Sequence, residues 1–322
     1  MYNRKGQKIG GIITATGKRN RKNEFEPLKE LGNITIIKRL VLTFQRAGIA
    51  PIVVITGEQA EEVERHLANY GVVFLRNEKY KEMQMFESSQ LGFAYLEGKV
   101  DRIVFTKVDV PLFTTDTVKY LLSKEGAIVS PVYKGKTGHP LCIDASFIPD
   151  ILSYKGENGM KGFLHSVQSF RIWVDVEDEG ILHDVGEEKN SSVLLERHNQ
   201  QIFHPYVRLS LEKEKLFFDG RAKMLLLLID DTNSVRGACK KMAMSYSKAW
   251  NLLNEMETIL GFSVVKRKHG GRDGGKTYLS ESGKQFLNRY IALEDTVKAF
   301  AEQQFTQLFA DYHEKKDEKH SL

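Results

Sequence analysis

Cysteine is scarce in this 322-residue chain: there are 2, Cys142 and Cys239, far apart in sequence. That excludes a disulfide framework and any C-x-x-C metal cluster, and it fits a reducing, cytoplasmic setting. Long apolar runs are also missing. The longest, Met224 to Ile229, falls well short of the roughly 18 residues of a membrane span, so no membrane partner is expected. The first residues, MYNRKGQKIGGIITATG, carry basic groups but no long apolar core and no cleavage site, so no signal peptide is expected. The phosphate-loop pattern G-x-x-x-x-G-K-[ST] does not occur either.

What is present is enough for sizeable cores. The chain is 41% hydrophobic, and its length suggests about two domains. Net charge is +5, and it is unevenly placed: residues 206–290 hold 16 basic against 9 acidic side chains. A phosphate backbone would favour that stretch.

The first 200 residues alternate short β runs with helical patterns. KIGGIITAT, PIVVITG, VVFL and RIVFT read as strands. ITIIKRLVLTFQRAG and EQAEEVERHLANYG read as helices between them. This spacing predicts a Rossmann-like, mostly parallel sheet covered on both faces, with ligands beyond the carboxyl ends of the strands. Two loops reach that edge, TATGKRNRKNE and KVDVP. Asp109 in the second is placed to hold a cation against phosphate oxygens, and Asp184 could add another carboxylate. His139, in GKTGHPLCID, is as often structural as substrate-touching.

The character changes after the polar segment 186–200. The division expected is an α/β domain over 1–195, a DNA-reading domain over 203–290, a C-terminal helix over 291–312 with a role in dimerisation or in packing, and a disordered tail over 313–322. In the second domain, RAKMLLLLID is a helix, Asp231 to Asn233 form the following turn, and Ser234 caps the next helix. SVRGACKKMAMSYSKAWNLLNEME then gives two helices joined by a tight corner. Ser245 to about Leu260 is the candidate recognition helix. Ser245, Tyr246, Ser247 and Lys248 sit at its start, where hydroxyls, amides and cations meet phosphates and base edges. Trp250, Leu253 and Met256 are expected in the core. Lys266, Arg267, Lys268, Arg272 and Lys276 surround two Gly-Gly pairs, the composition of a cationic hairpin, or wing. The whole reads as an all-α/winged-helix DNA-binding domain.

Two resemblances sharpen this reading. The strings SVRGACKKMAMSYSKAWNLLNEME and KRKHGGRDGGKTYLSESG resemble the DNA-binding domain of ModE-type molybdate-responsive regulators. That implies a homodimer on double-stranded DNA. Residues 9 to about 190 resemble MobA-like NTP transferases. The matching pieces are the Ile12–Arg21 loop, N77EKYKEMQMFESSQLG, KVDVPLF, TGHP and HDVGEEKN. This second resemblance implies CTP or GTP with Mg²⁺ on Asp109 and Asp184. It places Thr16, Gly17, Lys18 and Arg21 around the triphosphate, with Asn77, Ser88 and His139 toward the substrate. The chain departs from the family pattern at Arg19, at Lys22-Asn23, at Glu26 before Pro27, at Val108 before Asp109, and at Gly186-Glu187-Glu188. These departures favour a degenerate domain that senses a nucleotide or pterin-like ligand and governs DNA binding. The alternative is a bifunctional nucleotidyltransferase and regulator. A third reading, a purely structural N-terminal domain, predicts no saturable ligand.

Overall fold

A computed structural model describes residues 6–17, 26–185, 191–268 and 276–309. The chain divides into two compact units, Met1–Ile202 and Phe203–Leu322.

In unit 1, β1 (Ile9–Ala15) leads to a small hairpin, β2 (Glu30–Leu31) and β3 (Ile34–Thr35), and then to α1 (Ile36–Arg46). β4 (Ile52–Thr56), α2 (Ala60–Leu67), β5 (Val73–Arg76), α3 (Met85–Leu96) and β6 (Arg102–Lys107) follow in alternation. Next come α4 (Thr115–Ser123), β7 (Ile128–Tyr133), β8 (Lys136–Thr137), β9 (Leu141–Asp144) and α5 (Ile148–Ser153). The unit ends with α6 (Gly159–Ser166), β10 (Arg171–Asp175) and α7 (Ser191–Ile202).

The strands form a sheet in the order β10-β7-β9-β6-β1-β4-β5, with β8 beside β7. β1 pairs in parallel with both β4 and β6, as the alternating pattern requires. The sequence pattern did not place β9, which inserts antiparallel between β6 and β7. Successive strand residues face opposite sides of a sheet. A Cβ on Gly10 would meet Leu96 of α3, whereas one on Gly11 would meet Phe44 of α1. The two helices therefore cover opposite faces, and Ile12, Ile13, Val53, Val54 and Ile55 between them have no exposed surface.

The dock of α7 is polar. Arg39 on α1 is 1% exposed. Its Nη1 donates to Asn199 Oδ1 at 2.7 Å and lies 3.2 Å from His198 Nδ1, and its Nε donates to the Leu31 carbonyl at 2.8 Å. Arginine has no acceptor, so His198 Nδ1 must accept. The ring proton then sits on Nε2, 3.0 Å from Thr43 Oγ1. Burial, reinforced by the Arg39 charge, pulls His198 down to about 3. The folded state thus holds His198 neutral while the unfolded chain takes up its proton near pH 6.5. Stability contributed here is full above pH 6.5 and is lost as pH falls toward about 3, by at most about 1.4 kcal/mol per pH unit. Hydrogen exchange of α7 amides should therefore speed up as pH falls through that window, after correction for intrinsic rates. His198→Gln should flatten the difference. An unchanged pH profile in the variant would refute the assignment.

Unit 2 opens with a short hairpin, β11 (Leu211–Glu212) and β12 (Leu216–Phe218). It continues with α8 (Gly220–Thr232), α9 (Val235–Lys241), α10 (Tyr246–Leu260), β13 (Val265–Lys268), β14 (Lys276–Leu279) and α11 (Glu281–Leu308). Asp219, Ser234, Ser245 and Ser280 each cap the helix that follows by accepting a backbone N–H. Helix α8 runs on through Asp231 and Thr232, because the left-handed Asn233 supplies its stop; the turn expected at Asp231–Asn233 thus shrinks to one residue. Phe218, Leu225, Leu226, Ile229, Leu253 and Met256 form the core. Helix α11 is continuous across residue 290. It is tied down by Tyr290, whose hydroxyl donates to the Leu209 carbonyl at 2.7 Å, and by buried Glu294, which pairs with Lys223 at 2.6 Å and Lys298 at 3.1 Å. Burial pushes the Glu294 carboxyl up, but the two lysines outweigh it and hold the group below its usual range.

Candidate functional sites

The first site lies at the carboxyl edge of the sheet in unit 1. Thr16 and Gly17 follow β1, and the Thr16 carbonyl accepts from Glu58 N at 3.0 Å. Gly57, at the exit of β4, is required by this approach: a Cβ there would lie 2.6 Å from the Thr16 oxygen. Beside it a cleft of about 480 Å³ is lined by Gly57, Gln59, Arg65, Arg76, Asn77 and Tyr80, among others. Arg76 is held by Glu64 through two hydrogen bonds, of 3.1 and 2.7 Å. Lys18 and Arg21 lie outside the described residues.

Asn77 and Ser88 come together, but with each other. Asn77 Nδ2 donates to Ser88 Oγ at 2.8 Å, and Asn77 Oδ1 accepts from Lys79 N at 2.9 Å. Both side chains are buried. These bonds hold the loop between β5 and α3 in place, and Asn77 also lines the cleft.

At the end of β6, Asp109 meets a residue that sequence reasoning missed. Lys107 Nζ donates to Asp109 Oδ2 at 2.9 Å. The only signal in the sequence was a cation two positions before the carboxylate; the turn after β6 is what folds the two together. Asp109 Oδ1, Thr14 Oγ1 and His139 Nδ1 are buried without a hydrogen-bond partner. His139 is pulled down to about 3, first by burial and then by the Lys107 charge, against a hydrogen bond to the Phe105 backbone; it is neutral at physiological pH. Asp184 is brought to the same edge because Val185 N donates to the Asp109 carbonyl at 3.0 Å. The preceding turn is fixed by buried Asp178, which accepts from Thr114 N, Thr114 Oγ1, Thr117 Oγ1 and Gly180 N.

For a divalent cation this edge offers the open oxygen of Asp109 and the nearby Asp184; the other Asp109 oxygen is taken by an ammonium, and the described residues contain no group of three metal-ligating side chains.

The second site is in unit 2. Ser245, Tyr246, Ser247 and Lys248, at the start of α10, are all exposed, as are Lys266, Arg267, Lys268 and Lys276 on the β13–β14 hairpin. Arg272 lies outside the described residues. The Ser245 hydroxyl also accepts from Lys248 N at 3.3 Å, so it caps the helix. Trp250 is half-buried instead of in the core. Its outer face is covered by the Arg267 guanidinium, 3.8 Å from the ring centroid, and Tyr246 meets it edge-on at 6.0 Å. A cation on a hairpin has replaced an apolar lid. Stacking of this kind stiffens the arginine side chain at little entropic cost.

The parallel sheet with its loops at one edge is a nucleotidyltransferase-type architecture. It is similar to a nucleotidyl transferase from Methanothermobacter, with 19% identity over 60% of this chain and 98% of that chain and a TM-score of 0.52. It is also similar to Rv0371c from Mycobacterium tuberculosis, with 21% identity over 59% and 97% and a TM-score of 0.51. At these identities the likeness is one of fold. The family described as MobA-like NTP transferase domain matches residues 11–171, half of the chain, and the chain belongs to that family. A region in the C-terminal part is similar to ModE proteins. The transcriptional regulator ModE of Yersinia pestis is 33% identical over 81 residues, 25% of this chain and 31% of that protein. The molybdenum transport protein ModE of Azotobacter vinelandii is 36% identical over 70 residues, 22% and 26% of the two chains. The chain thus spans about a third or less of the length of these curated relatives. Among the described residues, no helix is long and apolar enough to cross a membrane.

Proposed function

We propose that this protein is a cytoplasmic DNA-binding transcription regulator linked to molybdenum metabolism, and that its MobA-like unit senses a nucleotide or pterin-like ligand. The observation that carries the reading is the exposed basic face of unit 2. The start of α10 and the β13–β14 hairpin present Lys248, Lys266, Arg267, Lys268 and Lys276 to solvent, in a part of the chain similar to ModE regulators. A helix pair followed by a cationic hairpin suits a winged helix, with α10 in the major groove and the hairpin on the flanking phosphates. A homodimer would read two half-sites, so a palindromic target is expected. The test is selection of bound duplexes from a random library by the full-length protein. Enrichment of a palindrome supports the proposal. No enrichment, with binding independent of salt, would sink it.

A second reading, a bifunctional nucleotidyltransferase, is favoured by the family match and by Asp109 at the carboxyl edge of the sheet. It is tested by pyrophosphate release from CTP or GTP with Mg²⁺ and a molybdopterin-type acceptor. Release that Asp109→Ala abolishes would establish it; none at any acceptor concentration would leave the sensor reading.

A further inference from the structure

Lys107 reaches the sheet's carboxyl edge on the same side as two other residues. It is the register neighbour of Thr14 on β1, so these two side chains share a face of the sheet, and the turn that follows β6 brings Asp109 Oδ2 to within 2.9 Å of the Lys107 ammonium. His139 lies against the same strand, its ring edge-on at 6.0 Å to Phe105, two positions before Lys107 on β6. The cluster therefore joins one carboxylate, one ammonium, one hydroxyl and one neutral imidazole. Its hydrogen bonding is lopsided. Lys107 spends one N–H on Asp109 Oδ2 at 2.9 Å, yet Thr14 Oγ1, Asp109 Oδ1 and His139 Nδ1 are buried with no partner. Thr14 is only 2% exposed. Buried polar atoms left unmatched cost free energy; of these three, Thr14 Oγ1 can donate to a phosphate oxygen, whereas Asp109 Oδ1 and His139 Nδ1 are acceptors that call for donor groups elsewhere on a ligand.

We propose that Lys107 is the resident cation of this site: it stands at Asp109 in place of a divalent metal and binds a phosphate group of the ligand directly. The inference rests on reading this edge as a ligand site. Its physical basis is charge. A divalent ion approaching Asp109 must displace the ammonium or sit beside it, and two cations a few ångströms apart repel. A phosphate meets the opposite situation. Asp109 fixes the Lys107 side chain, the ammonium has two further donors, and the charge-assisted bond it offers is among the stronger kinds. Thr14 Oγ1 can donate a further hydrogen bond to a phosphate oxygen at the same edge. Recognition of the phosphate then needs no metal, whether the phosphate belongs to a nucleotide or to a pterin.

The experiment uses the full-length protein in two arms. In the first, free Mn²⁺ is followed by electron paramagnetic resonance without nucleotide. Wild type is expected to leave the free-ion signal unchanged into the millimolar range. Lys107→Ala is expected to take up about one ion per chain, and Lys107→Ala with Asp109→Asn to lose it again. In the second arm, CTP and GTP are titrated calorimetrically in EDTA and in Mg²⁺. Wild type should bind one of them within twofold of the same affinity in both buffers. Lys107→Ala should weaken binding in EDTA at least tenfold, and Lys107→Arg should largely restore it. Uptake of Mn²⁺ by wild type at Asp109, or nucleotide binding that requires Mg²⁺, overturns the proposal. If neither nucleotide binds but Mn²⁺ still enters only the Lys107→Ala variant, the resident cation stands and the nucleotide reading of the sensor falls.

Discussion

Replacing Lys248, Lys266 and Lys276 together by alanine is expected to weaken binding of duplex DNA by several hundred-fold for each half-site at about 0.1 M salt. Each phosphate contact contributes about 0.9 to the slope of log K against log salt, so at 0.1 M each lost cation removes nearly a factor of ten. The slope itself should fall by about 2.7 in magnitude for each protomer on the DNA, about 5.4 for the dimer. All three side chains are exposed, so the fold should survive their loss. They were chosen over Arg267 for a reason visible in the structure. Arg267 covers Trp250, and its removal would mix a lost contact with a loosened helix. Anisotropy titrations at several salt concentrations read both quantities. A variant with wild-type slope would show that this face does not touch DNA.

The second large effect concerns stability. Phe218→Ala should destabilise unit 2 by about 3–5 kcal/mol, the range for a fully buried phenylalanine. Phe218 has no exposed surface and packs edge-on against Phe286 at 4.9 Å and Tyr290 at 4.6 Å. The truncation removes apolar burial, leaves a cavity, and breaks two aromatic contacts that join the β11–β12 hairpin to α11. Native-state hydrogen exchange of α8 and α11 amides measures the loss, and Phe218→Leu should recover a large part of it. A loss under about 1 kcal/mol in the alanine variant would mean that the hairpin is not part of the folding unit.

β1, β4, β5 and β6 of unit 1 were legible because their apolar runs are short, punctuated and regularly spaced. Segments such as IVVIT have few alternatives, and glycine or proline marks their ends. Asp109 could be read because it follows such a run directly. Other features needed coordinates. The antiparallel insertion of β9 depends on its strand neighbours, about which its own sequence is silent. Arg39 and His198 lie 159 residues apart, and no periodicity links them. Asn77 and Ser88 read as substrate-side residues in sequence, and the hydrogen bond between them needed coordinates. Trp250 has helical spacing suited to the core, and only the hairpin behind it shows that a cation takes the outer face. In each case a residue's type was informative and its partner was not.

The polar dock of α7 has a mechanical consequence. Apolar contacts let a helix slide or roll by a fraction of a turn at small cost. Hydrogen bonds from a buried guanidinium to an imidazole, an amide and a carbonyl do not, because each has a direction as well as a length. The helix therefore behaves like a keyed shaft: it is seated in one register or it is out. Since α7 carries the last residues of unit 1, the end of that unit stays fixed against α1 for as long as the key is engaged.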